Sequence, residues 1–377
     1  MKAVIIDWAR SPFDRAHKGG LAGVRPDDMA GQVAKALIDR SGIDPVAFDD
    51  LLIGCGYPEA EQGYNIARLV TFLAGMPDTV PGVTFNRLCG SSMQAVLSAA
   101  AQIEAGWGGC FLCVGTESMT RVKRRGFNWS PNPGLEEGWP EAYVTMGQTA
   151  ENVATRWSIT RDQQERFALA SHQKAATARE SGSFDAEIIP LSNGDNTVSE
   201  DGCIRPGTTL EAMAELVPVF SDGGTVTAAT SSPLTDGAVA MIVCSEEFAS
   251  DHGLEAMARI ISGAVTGCPP EIMGIGPVEA TRQVLERTGW DIDSIDIFEL
   301  NEAFSSQSLA VIDELGLDPS KVNLEGGALA IGHPLGASGA RITGKAASLL
   351  ARTGSSRAIA TMCIGGGMGI AIALENS

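Results

Sequence analysis

The sequence predicts an α/β protein built from two duplicated halves, with a long segment inserted in the first half. Three observations carry that reading. Leu37-Ile38-Asp39-Arg40-Ser41-Gly42-Ile43-Asp44 is echoed by Val284-Leu285-Glu286-Arg287-Thr288-Gly289-Trp290-Asp291. The offset of 247 residues, from Gly42 to Gly289, also aligns two later helix–strand units without a gap. In both copies the order is helix, strand, loop, helix, strand, and the strands are short and continuously apolar, as in sheets covered by helices on both faces.

Taken in order, Met1 to Asp7 reads as an edge or core strand, followed by a Ser11-Pro12 turn. The two echoing stretches are helix ends stopped by glycine. Each leads through an acidic link to a strand, Asp50 to Gly54 in the first half and Ile297 to Asn301 in the second. Next, a Gly/Ser-rich turn opens an alanine-rich helix, Ser92 to Ala101 and again Gly339 to Ala347. Small side chains there let layers approach closely. An apolar strand follows each helix, Cys110 to Val114 and Ala358 to Met362. Between the copies, Arg121 to about Thr225 has no counterpart. That insertion begins with a basic cluster, Arg121-Val122-Lys123-Arg124-Arg125-Gly126, and a Pro/Gly/Trp-rich loop to Pro140. It also holds a helix over Arg161 to Arg179, started by Thr160 with Gln163 at capping-box spacing. The resulting divisions are 1–120, 121–225, a completion of the first half at 226–250, and 251–377.

Composition narrows the function. A net charge of −19 on 377 residues leaves no basic face to neutralise a nucleic acid. The basic cluster is either a solvated loop or a local site for anionic ligand phosphates. Eight scattered cysteines suggest a reducing cytoplasm rather than a disulfide framework. Cys110 and Cys113 form a C-x-x-C on a strand, where positions i and i+3 face opposite ways, so a shared metal or redox role is disfavoured. No metal-ligand set is evident. The start is too short and too soon acidic for a secretory signal, and no apolar run reaches membrane-spanning length.

Three segments place reactive groups among small residues: Asn86-Arg87-Leu88-Cys89-Gly90-Ser91-Ser92, Gly332-His333-Pro334 and Cys363-Ile364-Gly365-Gly366-Gly367. Cys89 stands before a helix, where free N–H groups and the helix dipole favour a thiolate and a depressed pKa; a buried structural cysteine is the competing reading. His333 lies in a glycine-rich loop leading into a helix, whereas His172, His17 and His252 have ordinary surface readings. An imidazole near a cysteine is a common route to a thiolate. Cys363 ends a strand, and the glycines after it expose N–H groups able to hold an oxyanion. Asn301 and Glu302 follow the second-half strand, as helix caps or as groups at the ligand-binding end of an α/β sheet.

These segments resemble the active-site segments of the thiolases, as do Asn301-Glu302-Ala303-Phe304, Gly326 to Gly339, and Thr225 to Ala228 with Ser231-Ser232 and Asp236-Gly237-Ala238. The resemblance runs along essentially the whole chain in the same order. It implies a five-layered αβαβα fold of two halves with an inserted loop domain covering CoA, and a homodimer or homotetramer. CoA is then a substrate, with no tightly bound cofactor. By the same resemblance Cys89 is the acylated nucleophile, His333 its base, and Cys363 the acid/base at the enolate carbon. Asn301 helps stabilise the enolate oxygen, and the Cys89 and Gly365 N–H groups form a second oxyanion hole. Arg205 and Ser232 contact the CoA nucleotide and pantetheine, and Met146 and Phe304 line its path. Biosynthetic acetoacetyl-CoA thiolases typically place a histidine where Thr145 precedes Met146. The segments Gln62 to Arg68 and Asn86 to Ala95 look more like bacterial degradative 3-ketoacyl-CoA thiolases. The resemblance therefore implies β-oxidation-type cleavage, admits a hydratase/dehydrogenase partner subunit, and leaves acetoacetyl-CoA formation as the alternative. A 3-ketoacyl synthase is a more distant one, because that chemistry wants a second histidine where Cys363 stands.

Overall fold

The computed structural model describes residues 2–194 and 196–377; Met1, included in the first expected strand, lies outside them. The first half contains β1 (Ala3–Arg10), β2 (Asp14–Arg15), α1 (Pro26–Ser41), β3 (Asp50–Gly54), α2 (Ile66–Leu73), β4 (Gly82–Phe85), α3 (Ser91–Glu104) and β5 (Cys110–Ser118). The inserted stretch contributes α4 (Pro133–Gly138), α5 (Met146–Arg156), α6 (Arg161–Glu180), β6 (Leu191–Asn193), β7 (Asn196–Val198) and α7 (Leu210–Ala214). Then come β8 (Thr235–Ser245), α8 (Glu246–Asp251), β9 (Ala258–Gly267), α9 (Gly276–Thr288), β10 (Ile297–Leu300), α10 (Ser305–Leu315), α11 (Ala328–Ile331), α12 (Leu335–Thr353), β11 (Arg357–Ile364) and β12 (Met368–Asn376).

The strands run β10-β11-β12-β9-β1-β8-β5-β3-β4, with β2 added alongside β8. The duplication is visible in this order. The 247-residue offset carries β3 onto β10, α3 onto α12 and β5 onto β11, and in each half the first of these strands pairs in parallel with the last. The amino-terminal strand is not an edge: β1 sits between β8 and β9 and joins the two half-sheets.

Three apolar clusters define the layers. One packs α1 and α2 on the outer face of the first half-sheet. Another packs α3 and α12 between the half-sheets, and a third packs α9 and α10 outside the second. The period of two along β5 explains how one strand serves two layers: Cys110, Leu112 and Val114 face the outer cluster while Phe111 and Cys113 face the central one. Cys110 and Cys113 thus lie on opposite faces, as expected, and all eight cysteines are free.

Glycine sets the helix ends, with Gly42 and Gly289 in the left-handed region at φ +69° and +68°. The Thr160–Gln163 capping box forms, and α6 runs one residue past the expected end. The long central helix begins four residues earlier than expected, at Leu335, so Leu335 to Ser338 belong to a helix and not to the loop. Pro334 accounts for the start: its ring fixes φ and it lacks the N–H that a preceding helical turn would need. A buried ion network crosses the layers. Arg10 on β1 meets Glu187 at 2.8 Å and Asp201 at 2.6 Å, both from the inserted stretch. Lys345 on α12 reaches Glu187 at 2.5 Å and Glu325 at 2.7 Å. Among the described residues no helix is long and apolar enough to cross a membrane.

Candidate active site

Cys89 is built by its own turn. The Asn86 side chain accepts from Leu88 N–H at 2.9 Å. Ser91 Oγ accepts from Arg87 N–H at 2.9 Å and donates to Leu88 C=O at 2.6 Å. These bonds hold Leu88 at φ +44°, a costly conformation for leucine, and lift Cys89 onto a short 3₁₀ turn ahead of α3. The expected low pKa is overturned. Burial pushes the Cys89 thiol up to about 11, against the opposing pull of the Gly365 N–H that faces its sulfur. The helix start is real, but desolvation outweighs it, and the resting group is a thiol.

Gly365 opens the turn between β11 and β12, in which Gly366 and Gly367 have φ +80° and +83°. Two residues earlier, Cys363 is buried beside Met146, Ala303 and Phe304. Its thiol is raised by burial first, then by the neighbouring Cys89 and Cys268. Two of the three reactive segments therefore converge at one point.

His333 occupies the short link between α11 and α12, next to Gly332 at φ +112°. Its N–H donates to Thr235 Oγ1 at 3.0 Å. Ser338 Oγ donates to Pro334 C=O at 3.0 Å and so is free to accept from His333 Nδ1–H, 2.6 Å away. That arrangement assigns the proton to Nδ1 and leaves Nε2 as the basic nitrogen. Nε2 lies 3.5 Å from the Asn301 side-chain nitrogen. Burial lowers the His333 pKa to about 3, with help from Arg341, so the imidazole rests neutral. Leu335, two residues on, packs in one cluster with Cys89, Tyr57 and Met119, which ties the third segment to the first.

Asn301 and Glu302 are not helix caps. Asn301 is fully buried, its N–H bound to Thr361 C=O at 3.0 Å, and its Oδ1 has no partner among the described residues. Glu302 accepts from Ser171 at 2.6 Å, Asn323 at 2.7 Å and the Leu329 N–H at 3.2 Å. A buried amide atom left without a partner beside a basic nitrogen is the signature of a site that receives another polar atom.

A cavity of about 260 Å³ lies against the inserted stretch, lined by Arg205, Arg15, His172, Ser231, Leu329 and their neighbours. Arg205, expected to contact the CoA nucleotide, lines this cavity. Ser231, rather than Ser232, lines this cavity; the Ser232 N–H binds Ala303 C=O at 3.0 Å, next to Phe304. His172 does not have the surface character read from the sequence. It is buried, its Nδ1 accepts from the Arg205 N–H at 3.2 Å, and burial lowers its pKa to about 4. The basic cluster divides: Arg121 pairs with Glu61, while Lys123, Arg124 and Arg125 are exposed. Sequence reasoning missed Glu117 and Thr235, which lie outside the quoted segments, and the tautomer-setting role of Ser338, which its place in Gly326 to Gly339 does not by itself reveal.

A family model for the amino-terminal domain of thiolase matches residues 3–247, and one for the carboxy-terminal domain matches 254–376. The chain belongs to the thiolase family. Curated relatives of this thiolase include the 3-ketoacyl-CoA thiolase of Bacillus subtilis, 44% identical with 99% of each chain covered. That of Pseudoalteromonas translucida is 46% identical, covering 99% of this chain and 98% of its own. Among solved structures, human mitochondrial 3-ketoacyl-CoA thiolase superposes with a TM-score of 0.91 at 36% identity, covering 100% of this chain and 99% of that one. An acetyl-CoA acetyltransferase of Bacillus anthracis gives 0.91 at 38% identity, with the same coverage.

Proposed function

We propose that this thiolase cleaves 3-ketoacyl-CoA with CoA, giving acetyl-CoA and an acyl-CoA shortened by two carbons. The observation that carries the reading is the convergence of Cys89, the Cys363–Gly365 turn and the His333–Asn301 pair, in a chain whose relatives are 3-ketoacyl-CoA thiolases. His333 Nε2 takes the Cys89 proton as sulfur attacks the keto carbon. The C2–C3 bond then breaks, its electron pair forming the acetyl-CoA enolate, with the enolate oxygen toward Asn301 and His333. Cys363 gives C2 its proton and becomes a thiolate. That thiolate deprotonates the incoming CoA, whose sulfur attacks the acyl-Cys89 carbonyl, held by the Cys89 and Gly365 N–H groups. Cys89 leaves and recovers its proton from His333. Two thiols and one imidazole return to their starting states.

The cavity beside Arg205 and Ser231 suits the nucleotide end of CoA, and a complex of the human mitochondrial enzyme with CoA shares the fold at a TM-score of 0.91. Segment 121–225 is then a loop domain over CoA, with Met146 and Phe304 along the route to Cys363. Ser232 is assigned to pantetheine, next to Phe304. The reading extends to a cytoplasmic homodimer or homotetramer acting in fatty-acid β-oxidation, open to a hydratase/dehydrogenase partner. The likeness to an acetyl-CoA acetyltransferase supports acetoacetyl-CoA formation as the second reading. Thiolysis of acetoacetyl-CoA and of medium- and long-chain 3-ketoacyl-CoAs separates them: degradation predicts higher kcat/KM on the longer chains. Mass spectrometry should find the acyl adduct on Cys89, and Cys89→Ala should abolish turnover; an adduct on any other cysteine refutes these roles.

A further inference from the structure

We propose that Glu117 is a positioning residue for the reaction, its buried carboxylate locking the His333 turn of one half onto the loop of the other half that backs Cys89. This rests on the thiolase reading and adds a residue to it. Glu117 lies near the end of β5, fully buried, and no cation pairs with it among the described residues. Four N–H donors surround it instead. Oε2 accepts from Gly56 N–H at 2.7 Å and Gly336 N–H at 3.0 Å. Oε1 accepts from Gln62 Nε2 at 2.6 Å and Tyr57 N–H at 3.2 Å.

The Gly336 bond is the informative one. Gly336 is the second residue of α12, whose N-cap is Pro334, and no side chain from its own segment caps the helix. A helix start carries unpaired N–H groups and a partial positive charge. Glu117 meets both from the opposite half of the molecule. The residues so fixed are those that define His333: Ser338 Oγ is its Nδ1 partner, and Pro334 C=O holds that hydroxyl in place. At the far end of the same stretch, Glu302 accepts from Leu329 N–H. On the other side, Tyr57 packs with Cys89. One carboxylate thus joins the base to the wall of the nucleophile's pocket. Gly336 is suited to this contact, since a Cβ there would come within 2.6 Å of Thr116 C=O and 2.8 Å of Cys55 Cα.

An apolar or amide side chain would fill the same space, so the retained charge calls for a reason. Cys89 is faced by Glu117 from β5, Arg124 from the basic cluster, Tyr57 from the loop after β3, Cys363 from β11, and the His333 turn. Glu117 is the one carboxylate in that set. Its charge favours the Cys89 thiol at rest.

The test is Glu117→Gln in the full-length protein, followed by two readouts. Thiolysis kcat should fall on the order of 10²-fold with the KM for CoA held, as for a misplaced base. Iodoacetamide labelling of Cys89, followed on its peptide by mass spectrometry, should show its inflection moved to lower pH. A purely structural glutamate would not lower turnover while making Cys89 easier to ionise. Wild-type kcat, or a labelling profile that coincides with wild type, overturns the proposal. Glu117→Asp keeps the charge on a shorter arm; it should lower kcat without moving the inflection, and it decides the matter if the glutamine variant does not fold. Should the wild-type chain thiolyse no 3-ketoacyl-CoA, the thiolase reading fails, and the labelling profiles still judge Glu117.

Discussion

At the scale of single residues, the site is set by burial more than by charge pairing. Cys89 is pushed up to about 11 and His333 down to about 3, so both rest neutral over the whole physiological range. Under the proposed roles, proton transfer from sulfur to Nε2 creates charge only as the bond to substrate forms. Electrostatic stabilisation is thereby kept for the transition state, aided by the Gly365 N–H beside the sulfur. The consequence for pH follows in sign. A base with a depressed pKa stays competent until the pH falls toward that value, and a thiol with a raised pKa stays protonated until the pH climbs toward its own. kcat/KM for thiolysis should therefore be level from about pH 5 to about pH 9, with no inflection near the ordinary histidine value. A descending limb near pH 6.5 in the free-enzyme profile would show that His333 is charged at rest and would reject the neutral-pair account.

Among the elements, the helices and strands of the two halves were legible because their chemistry is local. Glycine at φ near +69° ends α1 and α9, a Thr–Gln box starts α6, and period-two burial marks β5. What escaped the sequence was the start of α12 and the true exposure of His172. Each also has a partner far along the chain: Glu117 accepts from Gly336 N–H at the start that Pro334 sets, and Arg205 supplies the donor for His172. The close approach of α12 to the first half-sheet belongs to this scale as well. A Cβ on Gly115 would fall 2.6 Å from Gly336 C=O and 2.8 Å from Ala337 Cα, both backbone atoms of a packed helix. Neither can move aside as a side-chain tip would. Gly115→Ala should cost about 1–3 kcal/mol, as overpacking does, and should show as a lower calorimetric melting temperature. An unchanged melting temperature would mean that the two halves slide past each other freely, contrary to this packing.

For the whole molecule, Cys89, His333 and Cys363 could be singled out in the sequence as candidates because small-residue motifs flank each of them, whereas the ion network joining the layers could not be read there. Arg10 finds Asp201 across 191 positions and Glu187 across 177, separations that no local pattern encodes. The two buried cations in this network are not equivalent. Lys345 contacts Glu187 and Glu325, and each of these keeps a second cation, Arg10 and Arg352 respectively. Asp201 pairs only with Arg10 among the described residues, and it is buried. Removing Arg10 therefore strands a carboxylate in the interior, the situation that typically costs about 3–5 kcal/mol. Lys345→Met leaves no carboxylate without a cation and puts an apolar chain over Phe184, whose ring the ammonium now faces at 4.7 Å. Arg10→Met should thus lower the melting temperature well beyond Lys345→Met, and should expose the inserted segment to protease first, because both Arg10 partners lie in it. Equal losses in the two variants, or a larger one at Lys345, would mean that the network holds by total charge and not by the pairing of Asp201.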